Sequence, residues 1–249
     1  MGYRTSQIQQ RGQLSGRRPG QCSLRSAEIW TFFVIADGMG GHAAGEIASR
    51  MACEEAVSEY YSNAAAPVEC GDECESKRQR LEKTLRTAHE KNVDYAKKHD
   101  ELRGMGTTLS ALVIQDDKAL IAHVGDSRIY RFRNHSSERM TVDHTENQIL
   151  IDRGIIHPGL ESNYCCRHII TQALGAGADL DSVFTRVESV RSGDRFLLCT
   201  DGLHDLVTDS EIENILIEHS SPQATADELV NAAIRKGGHD NVTVIVVQT

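Results

Sequence analysis

The segment that decides the fold is Ile29-Trp30-Thr31-Phe32-Phe33-Val34-Ile35-Ala36-Asp37-Gly38. Its first eight residues are mostly β-branched or aromatic, a composition typical of a buried β-strand. The Asp-Gly pair that ends the segment is a common turn dipeptide. We therefore predict a core strand that carries Asp37 at its C-terminal tip.

Downstream of this strand, the sequence predicts helices and strands in blocks. Apolar residues at helical spacing predict long helices over residues 42–61 and 74–99. The further predicted strands are 107–114, 119–124, 129–132, 183–187, 195–199 and 242–247, and the further helices are 146–153, 210–219 and 225–236. Short connections between the strands imply antiparallel pairing, and the Gly-punctuated stretch 133–182 is expected to be a mobile insertion. Blocks without strict alternation favour an antiparallel α+β layered fold over a doubly wound parallel sheet.

The composition is that of one globular domain, with 249 residues of which 39% are apolar and 25% charged. No apolar run of about 18 residues occurs, and no apolar segment follows the N-terminal arginines, so we expect neither a transmembrane span nor a secretory signal. The seven cysteines include no Cys-x-x-Cys pair, which favours reduced thiols over a disulfide framework or a zinc site. We therefore expect a cytoplasmic protein.

Charge separates the N-terminal segment from the rest of the chain. The net charge is −9, but residues 1–36 hold five arginines and one acid, which leaves −13 for the remainder. An acidic body argues against nucleic-acid binding, which needs a basic face. Residues 1–28 are rich in Gly, Ser, Gln and Arg without apolar periodicity. Two interpretations fit them, a solvated basic tail and an anion-contacting arm.

Three carboxylates share one unusual setting. Asp37, Asp201 and Asp240 each border a predicted strand, and each has a glycine within two residues. Glycine lets backbone carbonyls and water approach closely, as hard cations such as Mg²⁺ and Mn²⁺ require. One Asp-Gly alone is usually an ordinary turn, but three at strand edges favour a metal site, and Asp126 and Asp205 stand in similar positions. Two divalent cations about 4 Å apart would activate water and neutralise a phosphoryl group.

Six collinear sequence blocks resemble the metal-dependent serine/threonine protein phosphatases of the PPM family, in the form common in bacteria. The blocks are Phe33-Val34-Ile35-Ala36-Asp37-Gly38-Met39-Gly40-Gly41-His42, Gly106-Thr107-Thr108, Val124-Gly125-Asp126-Ser127-Arg128-Ile129-Tyr130, Asp143-His144-Thr145 with Ile170-Thr171-Gln172-Ala173-Leu174-Gly175, Gly193-Asp194-Arg195-Phe196-Leu197-Leu198-Cys199-Thr200-Asp201-Gly202-Leu203-His204-Asp205, and Gly238-His239-Asp240-Asn241-Val242-Thr243. The resemblance implies a catalytic domain over residues 29–249, preceded by an atypical basic segment, 1–28. It also implies a two-sheet antiparallel β-sandwich flanked by helices, a four-layer α-β-β-α fold, with a flap at about residues 143–170 beside the cleft.

The resemblance also implies a set of site residues and cofactors. Asp37, Asp201 and Asp240 would bind a first Mn²⁺ or Mg²⁺ ion, and Asp37 and the Gly38 carbonyl a second. A weaker third site would comprise Asp126, Asp201 and Asp205, and Asn241 would orient Asp240. The implied reaction is in-line attack of metal-activated hydroxide on phosphoserine or phosphothreonine, without a phosphoenzyme. The implied partners are phosphoproteins, opposing a serine/threonine kinase; we expect a monomer that binds neither nucleic acid nor membranes.

The N-terminal segment departs from the family pattern, which is Gly-x-Arg-x-x-Asn followed by an acid. Two registers resemble it, one with Arg4 and one with Arg18, and neither contains the acid. We prefer Arg18 as the phosphate ligand because its distance from Asp37 is nearer the usual one, with Arg4 as the second choice. The second metal then borrows Glu28, binds weakly or is absent. A catalytically impaired relative that binds phosphoproteins or regulates a kinase pathway is therefore the alternative function.

Other phosphate and hydrolase chemistries find less support. The P-loop pattern Gly-x-x-x-x-Gly-Lys-[Ser/Thr] and the Gly-x-Ser-x-Gly elbow do not occur. Residues 179–183 match a short haloacid-dehalogenase pattern, but a Gly-Ala repeat precedes them where that fold needs an apolar strand. Met39 stands where other relatives carry a histidine that acts as general acid. His42 opens a predicted helix, where a capping or surface role is expected.

Overall fold

The computed structural model of the protein describes residues 5–14, 28–62, 73–157, 169–177 and 179–249. The strands are β1 (Thr5–Leu14), β2 (Glu28–Met39), β3 (Gly106–Thr107), β4 (Leu109–Gln115), β5 (Lys118–Val124), β6 (Arg128–Arg133), β7 (Ser136–Arg139), β8 (Phe184–Ser189), β9 (Arg195–Cys199) and β10 (Val244–Gln248). The α-helices are α1 (His42–Ser62), α2 (Glu73–Lys98), α3 (Glu146–Asp152), α4 (Asp201–His204), α5 (Asp209–Glu218) and α6 (Pro222–Arg235). In these segments, no helix combines the length and the apolar character that a bilayer span requires.

Two antiparallel sheets form the centre of the molecule. The first has the order β1-β2-β4-β5-β8, with β3 paired to the end of β2, and the second has the order β10-β9-β6-β7. Every pair of neighbouring strands is antiparallel, as the short connections predict. The fold is therefore the expected α+β sandwich of two sheets.

Side chains of β2 alternate between two apolar layers. Phe32 and Val34 pack into a cluster with residues of α1 and α2, whereas Phe33 and Ile35 pack into a cluster with residues of the second sheet. Full burial of such a side chain stabilises the fold by about 1.5–3 kcal/mol. Because both faces of β2 are covered, its sequence is a continuous apolar run rather than an alternation of apolar and polar residues.

A third apolar cluster covers the outer face of the second sheet. Tyr130 of β6 and Leu197 of β9 pack there with Ile212 of α5 and Leu229 of α6. The start of α5 is fixed by a capping box, in which the Thr208 side chain accepts from the Glu211 backbone and the Glu211 side chain accepts from the Thr208 backbone. Helices therefore flank both sheets, which gives the four layers α-β-β-α.

The interpretation of the N-terminal segment as a solvated tail is wrong for residues 5–14. These residues form β1, the edge strand of the first sheet, and its register places Thr5 opposite Asp37 and Leu14 opposite Glu28. An edge strand is held by backbone hydrogen bonds to one neighbour, so it does not need apolar alternation. Residues 1–4 and 15–27 lie outside the described part of the chain.

The insertion predicted over residues 133–182 contains more regular structure than its sequence suggests. Strand β7, which was not predicted, pairs with β6 inside it. Helix α3 confirms the helix predicted over residues 146–153, and the Thr145 side chain caps it by accepting a hydrogen bond from the Gln148 backbone. Bridges join Thr145 to Ile170 and Thr107 to Leu174. Residues 158–168, in the middle of the expected flap, lie outside the described residues.

Candidate metal centre

Five aspartates from four places in the chain gather at one end of the sandwich. Asp37 lies near the end of β2 and Asp126 in the turn between β5 and β6. Asp201 begins α4 and Asp205 directly follows it, whereas Asp240 precedes β10. Their negative charges act on one another across these elements, so they lie close together.

Burial and mutual repulsion make these carboxyl groups unusually hard to ionise. The pKa of Asp37 is raised to about 9, first by burial and then by the negative charges of Asp201, Asp126 and Asp240. The pKa of Asp201 is raised to about 6 by burial and then by Asp205 and Asp240. Burial, followed by Asp201, Asp143 and Asp205, raises the pKa of Asp126 well above its usual value. A cation bound among these carboxyl groups would lower all three pKa values.

Three hydrogen bonds hold the backbone of Asp37, whereas its carboxylate oxygens accept none. Its N–H donates to Oγ1 of Thr108 at 2.9 Å, and its carbonyl accepts from the Thr108 N–H and from Oγ1 of Thr107, each at 2.9 Å. Neither carboxylate oxygen of Asp37, nor Oδ1 of Asp201, accepts a hydrogen bond from any described residue. Buried polar atoms without partners are costly, so these oxygens are expected to serve a ligand.

Two glycines allow the elements that carry the aspartates to meet. A Cβ on Gly38 would lie 1.9 Å from the carbonyl oxygen of Gly45, because β2 passes directly against α1. A Cβ on Gly202 would lie 2.3 Å from the carbonyl oxygen of Asn241. Gly202 therefore permits the contact that brings Asp201 beside Asp240. The N–H of Asn241 donates to Oδ1 of Asp240 at 2.7 Å, so Asn241 orients this carboxylate through its backbone.

The donor set suits a hard divalent cation. Carboxylate and backbone carbonyl oxygens are the ligands that Mg²⁺ and Mn²⁺ prefer, and this end of the sandwich offers both types, including the Gly38 carbonyl. Over the described residues, no three His, Cys, Asp or Glu side chains already form a complete cage.

An ion pair links the aspartate cluster to the start of the expected flap. Nε and Nη2 of Arg128 donate to the carboxylate of Asp143 at 3.0 and 2.6 Å, and Asp143 is buried. Burial disfavours the charged form of Asp143, but the charge and hydrogen bonds of Arg128 bring its pKa below the usual value. His144, the next residue, accepts from the Gly125 N–H at 3.2 Å and donates its own N–H to the Gly125 carbonyl at 2.7 Å.

Sequence reasoning placed Arg128, Asp143 and His144 in family motifs without predicting that they contact one another. His204 also stands in a family motif, but no role or contact was predicted for it; its Nε2 lies 3.0 Å from the carbonyl oxygen of Asp126. The one available signal was the position of His204 between Asp201 and Asp205.

A pocket of about 120 Å³, partly open to solvent, lies against Met39, two residues after Asp37. Met39 forms one wall, and residues 170–173, 176 and 179–181 form the rest. The pocket therefore lies between the strand that carries Asp37 and the end of the expected flap. Residues 179–181, which matched a haloacid-dehalogenase pattern, are part of a connection before β8 and not of a strand.

The N-terminal predictions have different outcomes. Arg4 and Arg18 lie outside the described residues. Glu28 opens β2 nine residues before Asp37, a separation of about 30 Å along an extended strand. The alternative in which Glu28 completes the second metal site is therefore excluded.

Comparisons with known proteins give one consistent result. The sequence model of the family described as Protein phosphatase 2C matches residues 21–236. The serine/threonine phosphatase stp of Listeria monocytogenes is 36% identical over 215 residues, which cover 86% of this chain and 83% of the relative. The crystal structure of the Mycobacterium tuberculosis serine/threonine phosphatase PstP/Ppp is 31% identical, with a TM-score of 0.74, over 100% of this chain and 99% of that one. A PstP catalytic-domain structure in complex with two manganese ions is 30% identical, with a TM-score of 0.73 over 98% of this chain and 99% of that one.

Proposed function

The chain belongs to the protein phosphatase 2C family and is a metal-dependent serine/threonine protein phosphatase, and we propose that Asp37, Asp201 and Asp240 hold its catalytic metal. The observation that carries this assignment is the buried carboxylate of Asp37, whose oxygens accept no hydrogen bond from the described residues and which is repelled by Asp201, Asp126 and Asp240. The comparisons give no support to the impaired, non-catalytic alternative.

The metal ions would be Mn²⁺ or Mg²⁺, with Asp37 and the Gly38 carbonyl also serving a second ion. The manganese ions of the related PstP structure support this choice. Asp126, Asp201 and Asp205 would form a third, weaker site, which their mutual electrostatic influence supports. The bound cations would supply charge neutralisation for the phosphoryl oxygens and lower the pKa of water.

The residues of this chain would position the metal ligands and the phosphate. Thr107 and Thr108 fix the backbone of Asp37, so its carboxylate can orient a ligand without reorganisation of the strand. Met39 carries no exchangeable proton, so it cannot protonate the serine or threonine alkoxide that leaves, and that proton must come from water. An arginine of the N-terminal segment, Arg18 or Arg4, would hold the phosphate bidentately.

The substrates are phosphoproteins, and we propose that the enzyme opposes a serine/threonine kinase as a cytoplasmic monomer. The cysteine pattern, which favours reduced thiols, supports an intracellular location. The pocket beside Met39 would bind substrate residues that flank the phosphorylated residue. Met39 ends the strand that carries Asp37, so this pocket lies near the proposed metal ligands.

Hydrolysis of a phosphothreonine peptide, measured as phosphate release during a Mn²⁺ titration, tests the assignment. We expect Asp201→Asn and Asp240→Asn to lower turnover by more than about 100-fold. Altering a residue that only orients a metal ligand lowers activity by about 10-fold to 100-fold, so a larger loss indicates a direct ligand. Asp117→Asn, in the exposed turn before β5, is the matched control. Full turnover in either site variant would refute the assigned ligands, and no turnover by the wild type at any Mn²⁺ concentration would refute the function.

A further inference from the structure

His204 connects two parts of the aspartate cluster that the chain supplies separately. It is the last residue of α4, and its side chain is only 5% exposed. Its Nε2 lies 3.0 Å from the backbone carbonyl oxygen of Asp126, in the turn that leaves the first sheet. Because α4 follows β9 of the second sheet, this contact joins the two sheets at the candidate metal centre.

The geometry identifies Nε2 as the protonated nitrogen of His204. A carbonyl oxygen can only accept, so the hydrogen bond requires the proton on Nε2. Nδ1 lies 3.8 Å from Oδ1 of Asp205, which is too far for a hydrogen bond.

The turn at Asp126 is held from two sides. On one side, His144 forms two hydrogen bonds with the backbone of Gly125, which has a φ of +107°. On the other side, His204 binds the carbonyl of Asp126. Of these hydrogen bonds, only the one from His204 joins the turn to α4. Helix α4 carries Asp201 and is followed by Asp205.

We propose that His204 is a positioning residue that sets the separation between Asp126 and the Asp201–Asp205 pair, and so forms the weak divalent-cation site of these three carboxylates. This inference rests on the proposed function, because it requires a metal centre in the cluster. Asp201 also serves the tight site, but its backbone is held by α4 and Gly202, independently of the His204 ring.

The experiment is a calorimetric Mn²⁺ titration of metal-stripped protein, with thermal unfolding measured in parallel. Three variants separate the hydrogen bond from the volume of the ring. His204→Gln keeps an amide donor at about the depth of Nε2, His204→Asn keeps polarity but is too short, and His204→Leu removes the donor. We expect the Asn and Leu variants to lose about 10-fold to 100-fold in affinity at the weak class of sites. The tight class should be unchanged, and the Gln variant should be close to the wild type.

The outcomes distinguish this inference from the proposed function. If the wild type binds no Mn²⁺, the proposed function fails and the inference with it. If the wild type binds Mn²⁺ in one class only, or if folded Asn or Leu variants keep the weak class unchanged, the inference alone is overturned. If the Leu variant does not fold, the comparison of Asn with Gln decides, and equal affinities overturn the inference. The control is His135→Asn, an exposed position at the opposite end of β6 with a φ of +61°, which asparagine tolerates.

Discussion

Replacing Asp37 by asparagine is expected to stabilise the metal-free protein at neutral pH while abolishing its function. The pKa of Asp37 is about 9 in the folded protein against 3.8 for an ordinary aspartate. Between these two pH values the folded state keeps a proton that the unfolded chain releases. Stability therefore falls as pH rises through this window, by about 1.4 kcal/mol per pH unit.

The size of the effect follows from this window. At pH 7 the unfavourable contribution of Asp37 is about 4 kcal/mol. Asparagine removes it but buries an amide in place of the carboxyl, which costs about 1–3 kcal/mol where partners are lacking. We therefore expect a net gain of about 1–3 kcal/mol at pH 7, smaller at pH 6 and larger at pH 8.

The assay is urea unfolding followed by circular dichroism in EDTA at pH 6, 7 and 8. With saturating Mn²⁺ the order should reverse, because binding to the folded state stabilises only the protein that keeps its carboxylate. Asp117→Asn, whose side chain is 76% exposed, should change stability by less than about 0.5 kcal/mol. The reasoning is refuted if Asp37→Asn is no more stable than the wild type in EDTA at all three pH values.

Three further predictions concern the third metal site, the phosphate ligand and the joining of the sheets. Asp126→Ala should reduce turnover while leaving the tight Mn²⁺ class intact, and calorimetric loss of that class would contradict the assignment. The pairing of Thr5 with Asp37 favours Arg4 over the preferred Arg18 as the phosphate ligand, so Arg4→Ala should raise the KM for a phosphopeptide more than Arg18→Ala; the reverse order would support Arg18. Arg131→Ala breaks ion pairs to Glu138 and Glu188 at 2.5 and 3.1 Å, at a cost of about 1–2 kcal/mol in urea unfolding. That cost should shrink in 1 M salt, and a salt-independent loss would point to packing instead.

Local patterns were enough to predict most elements of the fold. These patterns are the apolar run before Asp37, the helical spacing after His42 and the short polar connections. Each is a property of residues that are close in sequence, and helices and tight turns form between such residues. The polar strand β1 could not be predicted in this way, because its hydrogen bonds go to the edge of β2 and leave no apolar pattern in its own sequence.

The sequence by itself predicted which side chains would bind a metal, since Asp37, Asp201 and Asp240 each have a glycine within two residues at a strand end. Only the tertiary structure decided how these residues are supported. The hydrogen bond from His204 to Asp126 joins positions 78 residues apart, and the ion pair of Arg128 with Asp143 depends on the path of the chain between them. The separation of roughly 30 Å between Glu28 and Asp37 along β2 likewise excluded Glu28. Such contacts depend on distances through space, which residue order along the chain does not specify.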